Sequence, residues 1–223
     1  MMRLRRPARP ALGDRLVWQC ASLLLSYPET GRLDAAGALL EHLDGAAAQQ
    51  LSAALTAVRA LDPTTAAARY VDTFDLRRRC TMYLTYWTAG DTRNRGRAML
   101  EFAQAYTGAG VGVPAREAPD HLPVVLEFAA TVDPDAGRSL LSRHRVPLEV
   151  LHGGLCEAGS PYASAVAAVR STLPAATDAD LRRAQQLATA GPPAEDVGLQ
   201  PFTLTVPPRR QPDAVGVGDE GRR

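Results

Sequence analysis

Acid–base chemistry in this sequence would begin at Asp120 and His121, since a carboxylate beside an imidazole can serve as a base and its orienting partner. Neighbouring residues on a helix point about 100° apart, however, so adjacency alone does not bring these side chains together. The sequence reads Asp120 as a helix N-cap, its carboxylate accepting from free first-turn amides, followed by a partly exposed His121. His42, His144 and His152 have no acidic or Cys partner at a telling spacing, and no His or Cys set fits a metal site. Ser160 before Pro161 reads as another helix start rather than a nucleophile. Cys80, between Arg79 and Thr81, has the cationic neighbour that lowers a thiol pKa, although a buried, inert thiol is the commoner outcome. The glycines of GAGVGVP, residues 108–114, follow a helical stretch rather than a strand, so they form no dinucleotide or P-loop fingerprint.

The densest chemistry lies in residues 73–100, TFDLRRRCTMYLTYWTAGDTRNRGRAML. Phe74, Tyr83, Tyr86 and Trp87 are four of only twelve aromatic residues, and this concentration marks the segment out from an otherwise Ala-rich chain. They alternate with Arg77, Arg78, Arg79, Arg93, Arg95 and Arg97, and with Asp75 and Asp91. A solvated basic face with aromatics turned inward explains any one of these residues. It explains the set less well, because aromatic, Arg and Asp residues are so closely mixed along one segment. Arg and aromatic side chains anchor binding surfaces, and a groove lined this way suits a short helical peptide laid in by its apolar side.

Composition narrows the alternatives. A chain of 223 residues supports one domain, with a core able to bury roughly 70% of the unfolded surface, so no disulfide or metal is needed for folding. A net charge of +1 excludes generic nucleic-acid binding, which needs many uncompensated cations. There is no Lys, so all 25 basic residues are Arg, a planar and permanently charged fork. Three scattered cysteines fit free thiols in a reducing compartment. Arg5-Arg6 invites an export reading, but Asp14, Arg15 and Gln19 interrupt the apolar stretch that a signal requires. The expectation is a flexible basic leader over residues 1–11, a cytoplasmic location, and no membrane association, since no apolar run approaches the ~20 residues of a span.

Elements that would position these residues are helical. Leu12, Leu16, Cys20, Leu23 and Leu24 recur at steps of three and four up to a stop at Pro28. Further helices are expected over residues 33–43, 46–61, 63–74, 93–106, 120–130, 147–157, 161–173 and 178–190, with another that starts at Asp133-Pro134 and takes in Leu140 and Leu141. Residues 107–119 read as a Gly/Pro-rich loop. The expected architecture is an all-α single-domain helical bundle over residues 12–190, with a Pro/Gly-rich flexible tail over 191–223. In that tail PFTLTVPP alternates like a strand but stands alone.

Residues 70–100, with the elements FDLRRRC, LTY and GDTR, followed by PDHLPVVLEFAA at 119–130, resemble the NarJ-type nitrate reductase assembly chaperones of the TorD-like molybdoenzyme maturation family. Trp87 and Asn94 depart from otherwise familiar elements, and the tail has no match. The resemblance implies a non-catalytic protein with no cofactor of its own. It would bind the N-terminal segment of the apo catalytic subunit of nitrate reductase, and hold that subunit open for molybdenum cofactor insertion and iron–sulfur loading. It would delay membrane docking and leave the finished enzyme, with cofactor-delivery proteins as further partners. The resemblance assigns Tyr70, Phe74, Leu76, Tyr83 and Tyr86 to the peptide groove. Asp72, Asp75 and Glu127 would hold partner cations or tie down the Arg run, Arg77 included. Asp120, His121 and Pro123 would shape the turn beside the groove. The alternative within the family is a maturation chaperone for another molybdoenzyme of the DMSO reductase type; outside it, a helical hydrolase using Asp120 and His121 or a subunit retained in the mature reductase.

Overall fold

A computed structural model describes residues 10–90 and 93–193. The basic leader up to residue 9, Asp91, and the tail from residue 194, with its PFTLTVPP segment, lie outside the described residues. The chain is all-α. Its helices are α1 (Leu12–Leu25), α2 (Thr30–Leu40), α3 (Gly45–Arg59), α4 (Pro63–Phe74), α5 (Tyr86–Ala89), α6 (Arg93–Gly108), α7 (Leu122–Thr131), α8 (Pro134–Arg143), α9 (Arg145–Glu157), α10 (Tyr162–Ser171) and α11 (Asp178–Ala190), with a 3-10 turn at Arg78–Cys80. Among the described residues the only β-type pairing is an isolated antiparallel bridge between Tyr83 and His121.

Several helix starts follow from their capping chemistry. Asp62 accepts from the Thr65 amide at 3.0 Å, and Pro63 occupies the first helical position, where a missing N–H costs nothing. Asp133 accepts from the amides of Asp135 and Ala136 ahead of α8, again with Pro next in line. Thr177 and Asp180 form a reciprocal capping box at α11. Several boundaries differ from expectation, two of them by the most instructive margin. The second helix runs over Thr30–Leu40 rather than 33–43, and the third ends at Arg59 rather than residue 61. Apolar spacing marks the buried face of a helix, whereas its ends are set by which backbone groups find partners.

The core is organised around α1, which packs against α2, α3, α7 and α10. Trp18 is fully buried, and its indole N–H donates to Thr172 Oγ1 at 2.8 Å. On the side toward α7, the Ser22 hydroxyl donates to the Pro123 carbonyl at 2.8 Å and Arg15 Nε to the Ala130 carbonyl at 2.9 Å. A second, smaller cluster joins Tyr86 and Trp87 of α5 to Val150 of α9 and to Ala184 and Leu187 of α11.

Two polar joints fix α9. Glu149 is buried and accepts from Arg145 Nε at 2.7 Å and Arg170 Nε at 2.9 Å, with a further N–H of Arg170 on its other oxygen. Arg145 also donates to the carbonyls of Arg170 and Pro174. A buried carboxylate is tolerable because it is fully paired, and removing one partner would strand the other charges. At the other end, Arg79 makes a two-pronged pair with Glu157 at 2.6 and 3.1 Å, holding the 3-10 turn on α9. That approach requires Gly154, where a Cβ would stand 2.5 Å from the Arg79 carbonyl oxygen.

Gly154→Ala should therefore force the turn off α9 and cost about 1–3 kcal/mol. Gly153→Ala, with open space beside it, should be neutral or slightly stabilising through helix propensity. Paired thermal melts check this, at roughly 2–4 °C of Tm per kcal/mol for a chain of this size. Burial holds the His144 imidazole below its ordinary 6.5, outweighing the bond to the Leu140 carbonyl that favours the charged form. The folded state thus keeps His144 neutral while the unfolded chain protonates near 6.5. Its contribution to stability is complete above that pH and is lost as pH falls through it. Urea unfolding at pH 7.5 and 5.5 should show wild type losing more stability on acidification than His144→Gln.

Candidate functional site

Between α4 and α6 the chain leaves long helix, and its backbone is held from the opposite side. The Leu84 amide donates to the Asp120 carbonyl at 3.0 Å, and the Leu122 amide donates to the Met82 carbonyl at 2.9 Å. The Asp120 side chain completes this pairing. It is fully buried, and one carboxylate oxygen accepts from the Thr85 amide at 3.1 Å and the Thr85 hydroxyl at 2.6 Å. Asp120 is therefore not the N-cap expected from sequence. His121 occupies that position without a side-chain cap bond, because the Asp120 carboxylate turns back to the buried Thr85 donors. Pro123 sits in the first turn of α7, as its chemistry requires. Tyr106 donates to the Pro119 carbonyl at 2.6 Å and braces the approach to this bend.

The bridge brings Tyr83 and His121 side by side, ring centroids 5.2 Å apart, with the Arg95 guanidinium 5.0 Å over the Tyr83 ring. His121 Nδ1 lies 3.0 Å from a Glu117 oxygen. Glu117 also lines a cleft of about 220 Å³ between α1 and α7, together with Gln19, Arg32, Pro123 and Glu127. Glu117 thus links the Tyr83–His121 pair to the cleft that Pro123 and Glu127 line. Tyr83 remains 39% exposed, an accessible aromatic surface beside carboxylates. Such a face can accept apolar and cationic groups.

Other residues from the resemblance lie elsewhere. Tyr70 and Phe74 are buried in an aromatic cluster with Tyr162, and the Tyr70 hydroxyl donates to the Leu25 carbonyl. Tyr86 is buried in the α5–α9–α11 cluster. Asp72 and Arg77 form an exposed ion pair at 2.8 Å, while Asp75 is exposed and Leu76 is 72% exposed. Sequence reasoning missed Thr85, Gln19, Arg32 and Glu117. Glu117 carried a readable signal, four residues before His121 in the run EAPDH. Arg32 and Gln19 carried none, since their place depends on how α1 and α2 pack.

Among the described residues, the candidate acid–base and nucleophilic groups named from the sequence are not assembled with one another. Asp120 and His121 engage different partners, Thr85 and Glu117. Cys80 is buried, and burial pushes its thiol up against the weaker opposite pull of Arg77 and Arg79. Cys20 is pushed up to about 12 by burial. His152 does have a Cys partner, contrary to the sequence reading: Cys156 Sγ lies 3.6 Å from its Nε2, one helical turn away on α9. Among the described residues no group of three or more His, Cys, Asp or Glu is placed to hold a metal, and no helix is long and apolar enough to cross a membrane.

Fold and site together give an all-α bundle in which aromatic and acidic side chains gather beside the cleft between α1 and α7, a face that includes Tyr83, His121 and Glu127. The family described as "Nitrate reductase delta subunit" matches residues 39–168, which include the whole of this face except α1 and Arg32, and the chain belongs to that family. It is 61% identical over 165 residues to "Nitrate reductase-like protein NarX" of Mycobacterium tuberculosis, covering 73% of this chain but 25% of that protein. The chain thus spans about a quarter of the length of the first curated relatives it matches. It is 29% identical to "Probable nitrate reductase molybdenum cofactor assembly chaperone NarJ" of Bacillus subtilis, over 67% of this chain and 83% of that one. The solved structure of a putative redox enzyme maturation protein from Archaeoglobus fulgidus superposes with a TM-score of 0.55 at 27% identity, covering 77% of this chain and 98% of the other. The resemblance to NarJ-type chaperones and the all-α bundle both hold on these comparisons.

Asp120→Ala should leave the Thr85 amide and hydroxyl buried without a partner, at about 1–3 kcal/mol for each such group. The bridge should loosen with it. Hydrogen exchange at the Leu84 and Leu122 amides should then speed up relative to the α1 amides, and unchanged protection there would count against a clamping role.

Proposed function

We propose that this chain is a maturation chaperone for a molybdenum-containing nitrate reductase, not an enzyme. It binds the N-terminal segment of the apo catalytic subunit in the cytoplasm and keeps that subunit open for cofactor insertion and iron–sulfur loading. It then releases the subunit for membrane docking, with cofactor-delivery proteins as further partners. The observation that carries the reading is the family match over residues 39–168, which takes in the Tyr83–His121 bridge and the α7 wall of the adjoining cleft. The Tyr83 ring offers an apolar platform, and Glu117 and Glu127 offer carboxylates to a cationic client residue. Tyr70, Phe74 and Tyr86 then act from beneath, as packing that sets the shape of the surface.

A second reading, a subunit that stays with the finished reductase, is favoured by the family's description as a delta subunit and by the longer Mycobacterium relatives. Calorimetric titration with a peptide copying the N-terminal segment of the catalytic subunit separates the two when joined to an assay of the purified enzyme. The chaperone reading expects micromolar binding, on the order of −8 kcal/mol, weakened about tenfold or more by Tyr83→Ala and by Glu127→Gln. It also expects the assembled reductase to lack this chain. No heat of binding from the folded protein, or equimolar retention in the mature enzyme, would sink it.

A further inference from the structure

We propose that a separate cleft, between α4 and the turn into α10, binds an organic oxyanion, a carboxylate or phosphate ester with an apolar body. The cleft has a volume of about 210 Å³ and is lined by Arg69, Asp72, Arg77 and Ser160 on its polar side and by Val58 and Leu61 on its apolar side. It shares no lining residue with the cleft between α1 and α7.

Its charge is unbalanced in favour of an anion. Asp72 is already engaged by Arg77 at 2.8 Å. Arg69 has neither an ion pair nor a hydrogen bond among the described residues, and a guanidinium does not lose its charge at any ordinary pH. Ser160 Oγ is buried without a hydrogen-bond partner among the described residues, although a hydroxyl out of water ordinarily finds one. An oxyanion in the cleft would accept from the Ser160 hydroxyl and from the forks of Arg69 and Arg77 together, as charge-assisted hydrogen bonds. The ten-residue helix α10 begins at the same wall, and its positive end adds to the attraction. Gly159 turns the chain there with φ +61° and leaves open space where a side chain would stand, so the backbone edge of the cleft stays uncovered. Val58, Leu61 and the ring of Tyr162 supply an apolar wall, which distinguishes an organic anion from a bare ion.

The inference does not rest on the client-peptide reading, and the test contains no peptide. Thermal melts of the full chain are run in sodium phosphate, sodium benzoate and sodium chloride at matched pH and ionic strength. A rise in Tm that saturates with phosphate or benzoate, beyond the chloride control, is expected from binding to the folded state alone. General salting-out does not saturate, and it acts equally on every variant. Arg69→Gln should raise the apparent Kd about tenfold or more, and Ser160→Ala should weaken binding several-fold. A response to benzoate alone assigns a carboxylate ligand; a response to phosphate alone assigns a phosphate ester. A response to both means that the oxyanion sets the affinity. No saturable shift with either, or the same shift in Arg69→Gln, overturns the proposal.

Discussion

The buried carboxylate of Asp120 is the constraint on which the Tyr83–His121 face depends. A buried carboxylate calls for donors, and Thr85 supplies two from across the chain to Oδ2, while Oδ1 is buried without a hydrogen-bond partner among the described residues. Meeting that need aligns residues 82–85 with residues 120–122, and the backbone pairs at Leu84 and Leu122 follow from the alignment. Tyr83 is then turned outward between two buried neighbours, Met82 and Leu84, and set against His121. An acid kept in the interior thus determines which aromatic ring the surface presents.

That alignment also explains how one short region supplies both buried and exposed aromatic rings. Tyr70, Phe74 and Tyr162 are core side chains in mutual ring contact, while Tyr83, thirteen positions after Tyr70, belongs to the surface. The Arg run divides in the same way. Arg79 fastens the 3-10 turn to α9 through Glu157, Arg77 pairs locally with Asp72, and Arg95 lies over Tyr83. With no Lys in the chain, each of these joints is a planar fork that keeps its charge.

Much of the bundle was legible because its helices announce themselves twice, by apolar spacing and by capping residues. Asp62-Pro63 and Asp133-Pro134 mark their helix starts by a local rule that the structure follows. Asp120 obeys the same local rule in sequence and breaks it in space, because Thr85 is thirty-five positions away and outcompetes the first-turn amides. The density of aromatic and Arg residues drew attention to residues 73–100. It did not say which rings face out, since residues 75–85 follow no single helical period that would sort them. His152 and Cys156 were readable as neighbours four apart on a helix, whereas the cleft residues Gln19 and Arg32 depend on tertiary packing and had no local signature.

Helix α11 is attached through a small apolar patch, Ala184 and Leu187 against Tyr86, Trp87 and Val150, apart from the main core. The Arg145 bond to the Pro174 carbonyl lies just upstream of it. Proteins open in cooperative pieces, and the pieces with fewest buried contacts open first. Here the aromatic half of that patch comes from the same short stretch that carries Tyr83. The last described helix is therefore packed against the stretch that carries Tyr83, so the anchoring of α11 and the footing of that ring share the same few side chains.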